Sequence, residues 1–281
     1  MGPLRMSGAG TRRPRVLTVA GSDSGGGAGI QADLKTFSAL GVYGMTAITA
    51  VTVQNTQGVA GYEALSPQTV GDQIRSVVTD IGVDAAKTGM LANAGIVAAA
   101  ATALRETGVP NLVVDPVSVS KHGHALLEPD ALEALRTLIL PLATLVTPNL
   151  PEAAALVGFE VATREDMTKA AEAILALGPR AVLMKGGHLE GSATADDLFA
   201  DHERVAWVEA ERIDTPNTHG TGCTLSAAIA AHLAMGDELL EAVQAGKAFV
   251  TEAIRHSLAI GHGIGPVDQL WPITPLGPGR G

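Results

Sequence analysis

Residues 217–224 read NTHGTGCT, and LSAAIAAHL follows at positions 225–233. The second run consists of strong helix formers with an almost continuous apolar face, so it predicts a buried helix. Gly220-Thr221-Gly222 predicts a turn that feeds the N-terminus of this helix, where the first amide N–H groups have no partner within the helix. Oriented N–H groups and the positive end of the helix dipole form a ready anion site. The stretch therefore predicts chemistry on a group that develops negative charge, such as a phosphoryl group.

Cys223 is the only cysteine of the chain and lies at this predicted helix start. The field of a helix N-terminus is expected to lower the pKa of its thiol, which would suit a base or a nucleophile. A lone cysteine is also a common small hydrophobe in protein cores. The octapeptide alone leaves catalysis and packing both open.

Short β-type runs alternate with longer helical runs along the chain, which predicts an α/β fold with a mostly parallel sheet and helices on both faces. The expected organisation is a disordered extension over 1–15, a single domain over 16–271 and a mobile tail over 272–281. The predicted strands cover 16–20, 45–53, 85–88, 111–115, 144–147 and 181–185, with a hairpin over 197–208, and the predicted helices cover 30–41, 67–80, 93–106, 130–140 and 165–177, with two more starting near 223 and 238.

Polar residues follow most of the predicted strands. Ligands of open α/β sheets bind beyond the carboxyl ends of the strands, so we expect these residues to converge there. They are Asp23, Gln54-Asn55, Lys87-Thr88, Asp115, Asn149, Lys185 and the glycine turn at 220–222.

Composition narrows the class of protein. The formal net charge of −10 argues against a non-specific nucleic-acid binder, which needs a basic surface. A single cysteine excludes an intramolecular disulfide and a cysteine-cluster zinc site, and it fits a reducing compartment. The N-terminal residues contain no apolar core of a signal peptide, and no apolar stretch reaches the roughly 20 residues of a membrane span. A cytoplasmic protein with no membrane partner is expected.

Six segments together resemble one family, in the family's order. They are 20–33 (AGSDSGGGAGIQAD), 53–56 (VQNT), 87–90 (KTGM), 147–152 (TPNLPE), 184–188 (MKGGH) and 217–224. The chain is similar to the bacterial hydroxymethylpyrimidine/phosphomethylpyrimidine kinases of thiamine biosynthesis, in the ribokinase-like superfamily, from about Val16 to Trp271. The resemblance implies a three-layer α-β-α fold and ATP-dependent phosphorylation of 4-amino-5-hydroxymethyl-2-methylpyrimidine to the monophosphate and then the diphosphate. It also implies Mg²⁺ and a homodimer, and it leaves open a monovalent cation.

By this resemblance Gly220, Thr221 and Gly222 would form the anion hole for the transferred phosphoryl group. Cys223 would be the general base, where most sugar kinases of the superfamily have an aspartate. The base takes a proton from the attacking alcohol in the first transfer, whereas the second acceptor is already an anion.

The substrate side of the predicted site centres on Gln54. Its carboxamide offers a donor and an acceptor together, which suits the ring nitrogen and amine of an aminopyrimidine. By resemblance Gly21, Asp23, Met90 and Val117 flank the same pocket. Asp23 could instead form the turn after the first strand, and Met90 could be core filler.

The nucleotide side is predicted to include Lys185, Asn149 and Thr218. Asn149 and Glu152 stand three residues apart, so a carboxamide and a carboxylate would lie side by side and, with Asp115, organise Mg²⁺ directly or through water. The alternative is that Asn149 and Glu152 cap the helix that Pro151 begins, and both roles are compatible. Lys185 could also be a solvated lysine at a strand end.

Further loop residues complete the prediction. Ser118–His124 is interpreted as a flap over the substrate. His188 and His219 are interpreted as hydrogen-bonding loop residues rather than metal ligands.

Two other functions remain open from the sequence. Pyridoxal kinase is a sister activity on the same fold, and the sequence does not give the pocket shape that would separate the two substrates. A non-catalytic binder of pyrimidine or nucleotide is the alternative of a different class. A sugar kinase is disfavoured by cysteine at the base position.

Overall fold

The structure, a computed structural model, describes residues 12–117, 129–187, 189 and 194–273. Its strands are β1 (Arg15–Ala20), β2 (Tyr43–Ile48), β3 (Ala50–Asn55), β4 (Gly58–Ala64), β5 (Ala85–Thr88), β6 (Leu112–Val114), β7 (Leu145–Val146), β8 (Ala181–Met184), β9 (Asp197–Asp201) and β10 (Val205–Val208).

Eight of these strands form one sheet in the order β10-β9-β8-β7-β6-β5-β1-β2. Neighbours from β8 to β2 run parallel, while β9 and β10 are antiparallel at one edge. β3 and β4 form a separate antiparallel hairpin. The predicted mostly parallel sheet and the hairpin over 197–208 are confirmed.

Helices cover both faces of the sheet, as predicted. Several of them begin at a side-chain cap: Ser66 accepts from the Thr69 amide and Asn93 accepts from the Ile96 amide. The helices of the described residues are α1 (Gly29–Ala39), α2 (Pro67–Asp80), α3 (Ala94–Thr107), α4 (Pro129–Ala134), α5 (Leu150–Val157), α6 (Arg164–Leu175), α7 (Thr221–Met235) and α8 (Leu239–Arg255).

Two hydrophobic clusters fill the space between the layers. One packs α2 to α6 against one face of the sheet, through side chains such as Ile74, Leu156 and Ile174. The other packs α1, α7 and α8 against the opposite face, through Phe37, Ile229 and Val250. Because residues 224–231 of α7 are all buried, the start of this helix is fixed relative to the sheet edge.

The second predicted strand, 45–53, is wrong as a single strand. It divides at buried Thr49, whose hydroxyl donates to the Met90 carbonyl oxygen at 2.6 Å. The chain then leaves the main sheet as β3, where Val51 and Val53 are 53% and 65% exposed. An apolar run is usually a strand whose two faces are both covered by other elements. One face of β3 is not covered, so its valines stay exposed.

Two boundary predictions also need correction. Strand β1 begins at Arg15, whose guanidinium binds Asp84 at 2.7 Å, so this residue belongs to the sheet and not to the extension. The single helix predicted over 130–140 is α4 followed by a π-helical turn, Leu135–Ile139, and a 3-10 turn, Leu140–Leu142. The disorder expected for 1–11 and 274–281 concerns residues outside the described ones.

Within the described ranges, none of the helices combines the length and the apolarity needed to cross a lipid bilayer.

Candidate active site

A cavity of about 630 Å³ opens at the carboxyl ends of the parallel strands, between the sheet and the start of α7. All the residues with a predicted catalytic, substrate-binding, nucleotide-binding or metal-binding role line it, several of them because parallel strands end at the same edge of the sheet. They are Gly21, Asp23, Gln54, Met90, Asp115, Val117, Asn149, Glu152, Lys185, Thr218, Gly220, Thr221, Gly222 and Cys223. Asn55 and Thr88, which were expected to converge here as well, do not line the cavity.

The glycine turn at the start of α7 packs backbone against backbone on the first glycine-rich loop. Gly220 has φ of 82°, and a Cβ at this position would lie 1.8 Å from the Gly27 carbonyl oxygen. Gln269 ties the two loops together, since its amide donates to the Gly27 carbonyl oxygen at 3.3 Å and to the Thr224 hydroxyl at 3.2 Å. The first-turn amides of α7 are therefore held in a fixed orientation at the cavity wall.

A lysine and two carboxylates lie directly beside this turn. The Lys185 ammonium is 3.0 Å from Asp115 Oδ1 and 3.6 Å from Glu152 Oε2. A Cβ at Gly222 would lie 3.4 Å from Lys185 Nζ, so the ammonium and the helix N-terminus face the same space. Burial alone would lower the pKa of Lys185, but Asp115 and Glu152 raise it well above its usual range. Lys185 is thus a fixed cation at the predicted anion hole and not a solvated strand end.

Asn149 and Glu152 form a capping box at the start of α5. Asn149 Oδ1 accepts from the Glu152 amide and Glu152 Oε2 accepts from the Asn149 amide, both at 2.8 Å. Burial raises the pKa of Glu152 above its usual value, although Lys185 opposes this shift. The capping role is present, and the metal role stays a prediction. Across the described ranges, no group of three or more His, Cys, Asp or Glu side chains is arranged to hold a metal ion.

Cys223 lies at the cavity floor, and the predicted lowering of its pKa is wrong. Burial raises the pKa of the thiol to about 11, and Asp33 and Asp115 add to this shift. Lys87 and the Gly29 amide lower the pKa by less. Removal of the charged form from water therefore outweighs the helix terminus. At neutral pH the thiol of the free protein carries its proton.

The surroundings of Cys223 predict how the alkylation rate of its thiol depends on pH. With a pKa of about 11, the alkylation rate with iodoacetamide should rise about tenfold per pH unit from about pH 7 to about pH 10, because only the thiolate reacts. Mass spectrometry of the modified chain reports on Cys223 alone, since the chain has no other cysteine. The unfolded chain in urea is the control, and its rate should level off near the ordinary thiol pKa of about 8.5. A plateau below that value in the folded protein would contradict the shift.

Behind the thiol lies an ion pair that the sequence did not predict. Lys87 Nζ is 2.9 Å from both carboxylate oxygens of Asp33, and the Thr18 hydroxyl donates to Asp33 Oδ2 at 2.6 Å. All three side chains are buried. Burial alone would lower the pKa of Lys87, but Asp33, with Cys223 and Asp115, raises it well above its usual range. The KTGM segment marks this lysine, but its partner Asp33 lies 54 residues away, so no local spacing indicates the pair.

The end of the cavity that the sequence predicts to bind the substrate contains Gln54, Asp23 and His219. Asp23 accepts from the amides of Gly25 and Ala28, each at 2.8 Å. The same carboxylate lies 2.8 Å from His219 Nε2. Asp23 thus organises the glycine-rich loop as well as lining the cavity. His219 makes the loop hydrogen bond that the sequence predicted.

Gly21, Met90 and Val117 form the apolar wall beside these groups. A Cβ at Gly21 would lie 3.2 Å from the Met90 sulfur, so the glycine leaves room for this side chain. Met90 and Val117 both line the cavity, although Met90 is also packed against the core, which makes pocket lining and core filling compatible. An apolar wall with a few polar groups beside it is the usual lining of a small-molecule site.

A family model described as phosphomethylpyrimidine kinase matches residues 23–268 of the chain. The chain belongs to the phosphomethylpyrimidine kinase family. A hydroxymethylpyrimidine/phosphomethylpyrimidine kinase of Streptomyces coelicolor is 55% identical over 260 residues, which cover 92% of this chain and 96% of the relative. The family resemblance of the six segments is confirmed.

Solved structures place the chain among ribokinase-like vitamin kinases, and the predicted fold class is confirmed. The ADP complex of Bacillus subtilis pyridoxal kinase has a TM-score of 0.86 at 44% identity and covers 92% of this chain and 98% of its own. The phosphomethylpyrimidine kinase of Clostridium difficile 630 has a TM-score of 0.77 at 45% identity and covers 86% of this chain and 100% of its own.

The end of the cavity away from Gln54, called here the far end, was not predicted from the sequence of this phosphomethylpyrimidine kinase family member. It is lined by residues of the segment between β10 and α7, such as Arg212, and by residues of α8, such as Val250 and Ile254. The ammonium of Lys247 on α8, which also lines the cavity, lies 2.7 Å from Asp197 Oδ2. These side chains come from distant segments without a shared motif, and only the packing of α8 against α7 brings them together.

Two predicted features lie outside the described residues. They are the flap over Ser118–His124 and the loop histidine His188.

Proposed function

We propose that this cavity phosphorylates 4-amino-5-hydroxymethyl-2-methylpyrimidine and then its monophosphate, with ATP as the phosphoryl donor. One observation carries the proposal: Cys223, the glycine turn and Lys185 line the same part of the cavity, and Gln54 lines the end that is predicted to bind the substrate. The family match and the two named kinase relatives support the same chemistry.

The acceptor ring would lie between Gln54 and the wall of Gly21, Met90 and Val117, with its hydroxymethyl group toward Cys223. ATP would occupy the far end, with its terminal phosphate toward Lys185 and its remaining contacts at Asn149 and Thr218. The two substrates then meet at the N-terminus of α7.

Phosphoryl transfer forms a bond between the hydroxymethyl oxygen and the terminal phosphorus of ATP and breaks the bond to ADP. The α7 amides at Gly220, Thr221 and Gly222 and the Lys185 ammonium would stabilise the charge on the transferred oxygens. The alcohol proton would pass to the Cys223 sulfur as thiolate. Because the pKa of this thiol is raised to about 11, the first transfer is expected to accelerate with rising pH.

Magnesium fits the oxygen donors beside Lys185. Asp115 and Glu152 are buried carboxylates at the cavity wall, and Mg²⁺ is commonly held by one or two carboxylates, waters and substrate phosphate rather than by a complete protein cage. Asp115 and Glu152 would hold it, with Asn149 through water. When bound, it would neutralise phosphate charge.

The test is magnesium-ATP turnover with coupled ADP release, with hydroxymethylpyrimidine, its monophosphate and pyridoxal offered side by side. Turnover of both pyrimidines supports the proposal. Pyridoxal kinase is the second candidate, favoured by the 0.86 TM-score to the Bacillus subtilis enzyme, and turnover of pyridoxal alone would establish it. A rise in melting temperature with the ring and no ADP release would indicate a non-catalytic binder.

Replacement of Cys223 separates the two phosphorylations. Cys223→Ala should lower the single-turnover rate of the first transfer about 10²-fold or more, the usual range for removal of a general base. The second transfer should fall by less than about tenfold, because a phosphate acceptor is already ionised. Equal losses in both assays would contradict the assignment of Cys223 as base.

Two further properties belong to this proposal. A cytoplasmic location is supported by the single cysteine and the chemistry of the substrates. A homodimer is supported by the resemblance and by the exposed Val51 and Val53 of β3, an apolar strand face that a second copy would cover. Sedimentation velocity would measure the assembly.

A further inference from the structure

The segment that follows α8 contacts the site from outside the cavity. None of residues 263–269, called here the C-terminal segment, lines the cavity, and the structure describes all of them. At its start the Gly263 amide donates to Thr56 Oγ1 at 3.2 Å, and the Ile264 amide donates to the Thr56 carbonyl oxygen at 2.8 Å. The segment is therefore attached to the turn between β3 and β4, at the tip of the hairpin.

The middle of the C-terminal segment pairs with the residue that precedes the glycine turn. The His219 amide donates to the Gly265 carbonyl oxygen, and the Val267 amide donates to the His219 carbonyl oxygen, both at 3.0 Å. His219 and Pro266 thus form a parallel bridge outside the main sheet. Both backbone polar groups of His219 are used by this segment, so the chain is fixed one residue before Gly220.

Gln269 ends the C-terminal segment at the point where the two glycine loops meet. Its side chain is 2% exposed, and its amide nitrogen donates to the Gly27 carbonyl oxygen at 3.3 Å and to Thr224 Oγ1 at 3.2 Å. A carbonyl oxygen only accepts hydrogen bonds, so the atom that faces Gly27 must be the nitrogen. The same carbonyl oxygen lies 1.8 Å from the position of a Cβ at Gly220. Gln269 therefore joins the two loops at their closest contact.

We propose that Gln269 is a positioning residue for phosphoryl transfer, which acts through the Gly27 carbonyl group and the Thr224 hydroxyl on the first-turn amides of α7. The inference rests on the proposed function. These amides would stabilise charge that develops as the phosphoryl group is transferred, so their placement affects the rate of transfer more than the binding of the reactants. Loss of the two Gln269 hydrogen bonds would let the start of α7 shift relative to the first glycine-rich loop.

The experiment compares turnover and ADP binding in Gln269→Met, which keeps the length of the side chain and removes both donors. The kcat of both phosphorylations should fall about 10- to 100-fold, the scale of loss when groups around a reacting centre are displaced by a fraction of an ångström to about 1 Å. The Kd of ADP, measured by calorimetry, should stay within about threefold, because ADP lacks the transferred phosphoryl group and makes no use of the anion hole.

Gln73→Met is the matched control. The Gln73 side chain on α2 also bonds to the main chain, since its amide nitrogen donates to the Ile48 carbonyl oxygen and its oxygen accepts from the Ile48 amide, both at 3.0 Å. Gln73 does not line the cavity. This variant loses hydrogen bonds of the same kind away from the glycine loops, so its urea midpoint should fall while its kcat stays within about threefold of the original.

Each outcome decides the proposal. A kcat of Gln269→Met within about threefold of the original overturns it. A loss of ADP affinity as large as the loss of kcat overturns it too, because it would indicate a merely structural role, and so does an equal fall of kcat in Gln73→Met. In all three cases the proposed function stands, since the unsubstituted protein is still active. Absence of turnover of every acceptor by the unsubstituted protein overturns both.

A second measurement does not depend on any variant folding. The two Nε2 protons of Gln269 should exchange with solvent at least about tenfold more slowly than those of the exposed Gln57, because both are hydrogen-bonded in a buried place. Nuclear magnetic resonance of the unsubstituted protein measures both rates. Equal rates would overturn the inference.

Discussion

Gly220→Ala is expected to lower kcat for both phosphorylations about 10²- to 10³-fold, the range measured when one donor of an anion hole is lost. The added Cβ would lie 1.8 Å from the Gly27 carbonyl oxygen, far inside contact distance, and the φ of 82° at this position is itself strained for alanine. The backbone at the start of α7 must therefore move, and the N–H groups proposed to bind the transferred phosphoryl group would move with it. Strain at such a position costs about 1–3 kcal/mol of the free energy of unfolding.

Gly158→Ala is the matched control for this strain. Gly158 ends α5 with φ of 83°, almost the value at Gly220, and among the described residues no atom beyond the adjoining backbone lies within 4 Å of a Cβ built there. Gly158→Ala should lose stability in urea unfolding from its strained φ alone, and Gly220→Ala should lose at least as much because its Cβ also meets the Gly27 carbonyl oxygen. Only Gly220→Ala should lose turnover. If kcat of the two variants agrees within about threefold, the interlocked glycine loops do not shape the anion hole.

The part of the site that the sequence predicted consists of residues at strand ends. Asp115, Asn149 and Lys185 each follow a strand of the parallel sheet, so their convergence depends only on strand order and direction. The glycine turn was predictable for a similar reason, since helix formers after Gly-Thr-Gly define where α7 begins.

What the sequence could not predict depends on tertiary contacts. The division of the apolar run 45–53 at Thr49 follows from a hydrogen bond to the Met90 carbonyl oxygen, 41 residues away. The pKa of Cys223 was predicted in the wrong direction because a helix terminus is visible in the sequence, whereas desolvation requires knowing what surrounds the thiol. The Lys247–Asp197 contact is equally non-local.

Lys87→Met is expected to produce the largest loss of stability, about 3–5 kcal/mol, because it leaves the Asp33 carboxylate buried without its counter-ion. Burial already raises the pKa of Asp33 above its usual value, and loss of Lys87 removes the main opposing influence. Asp33 should then take up a proton on folding. In the unfolded chain this carboxyl has a pKa of about 3.9. The loss in free energy of unfolding relative to the unsubstituted protein should therefore shrink by up to about 1.4 kcal/mol per pH unit as the pH falls from about 7 toward about 5.

The double variant Lys87→Met/Asp33→Asn isolates the charge from the packing. The carboxamide introduced by Asp33→Asn would be neutral and could still accept from the Thr18 hydroxyl, which donates to Asp33 at 2.6 Å. Replacing both charges of a buried pair is often close to neutral, so the double variant should lie within about 1.5 kcal/mol of the unsubstituted protein and show no such pH dependence. Urea unfolding at several pH values measures both quantities. If the double variant is as unstable as Lys87→Met, the lysine stabilises the fold through the packing of its side chain. The charge of Lys87 would then contribute little to stability.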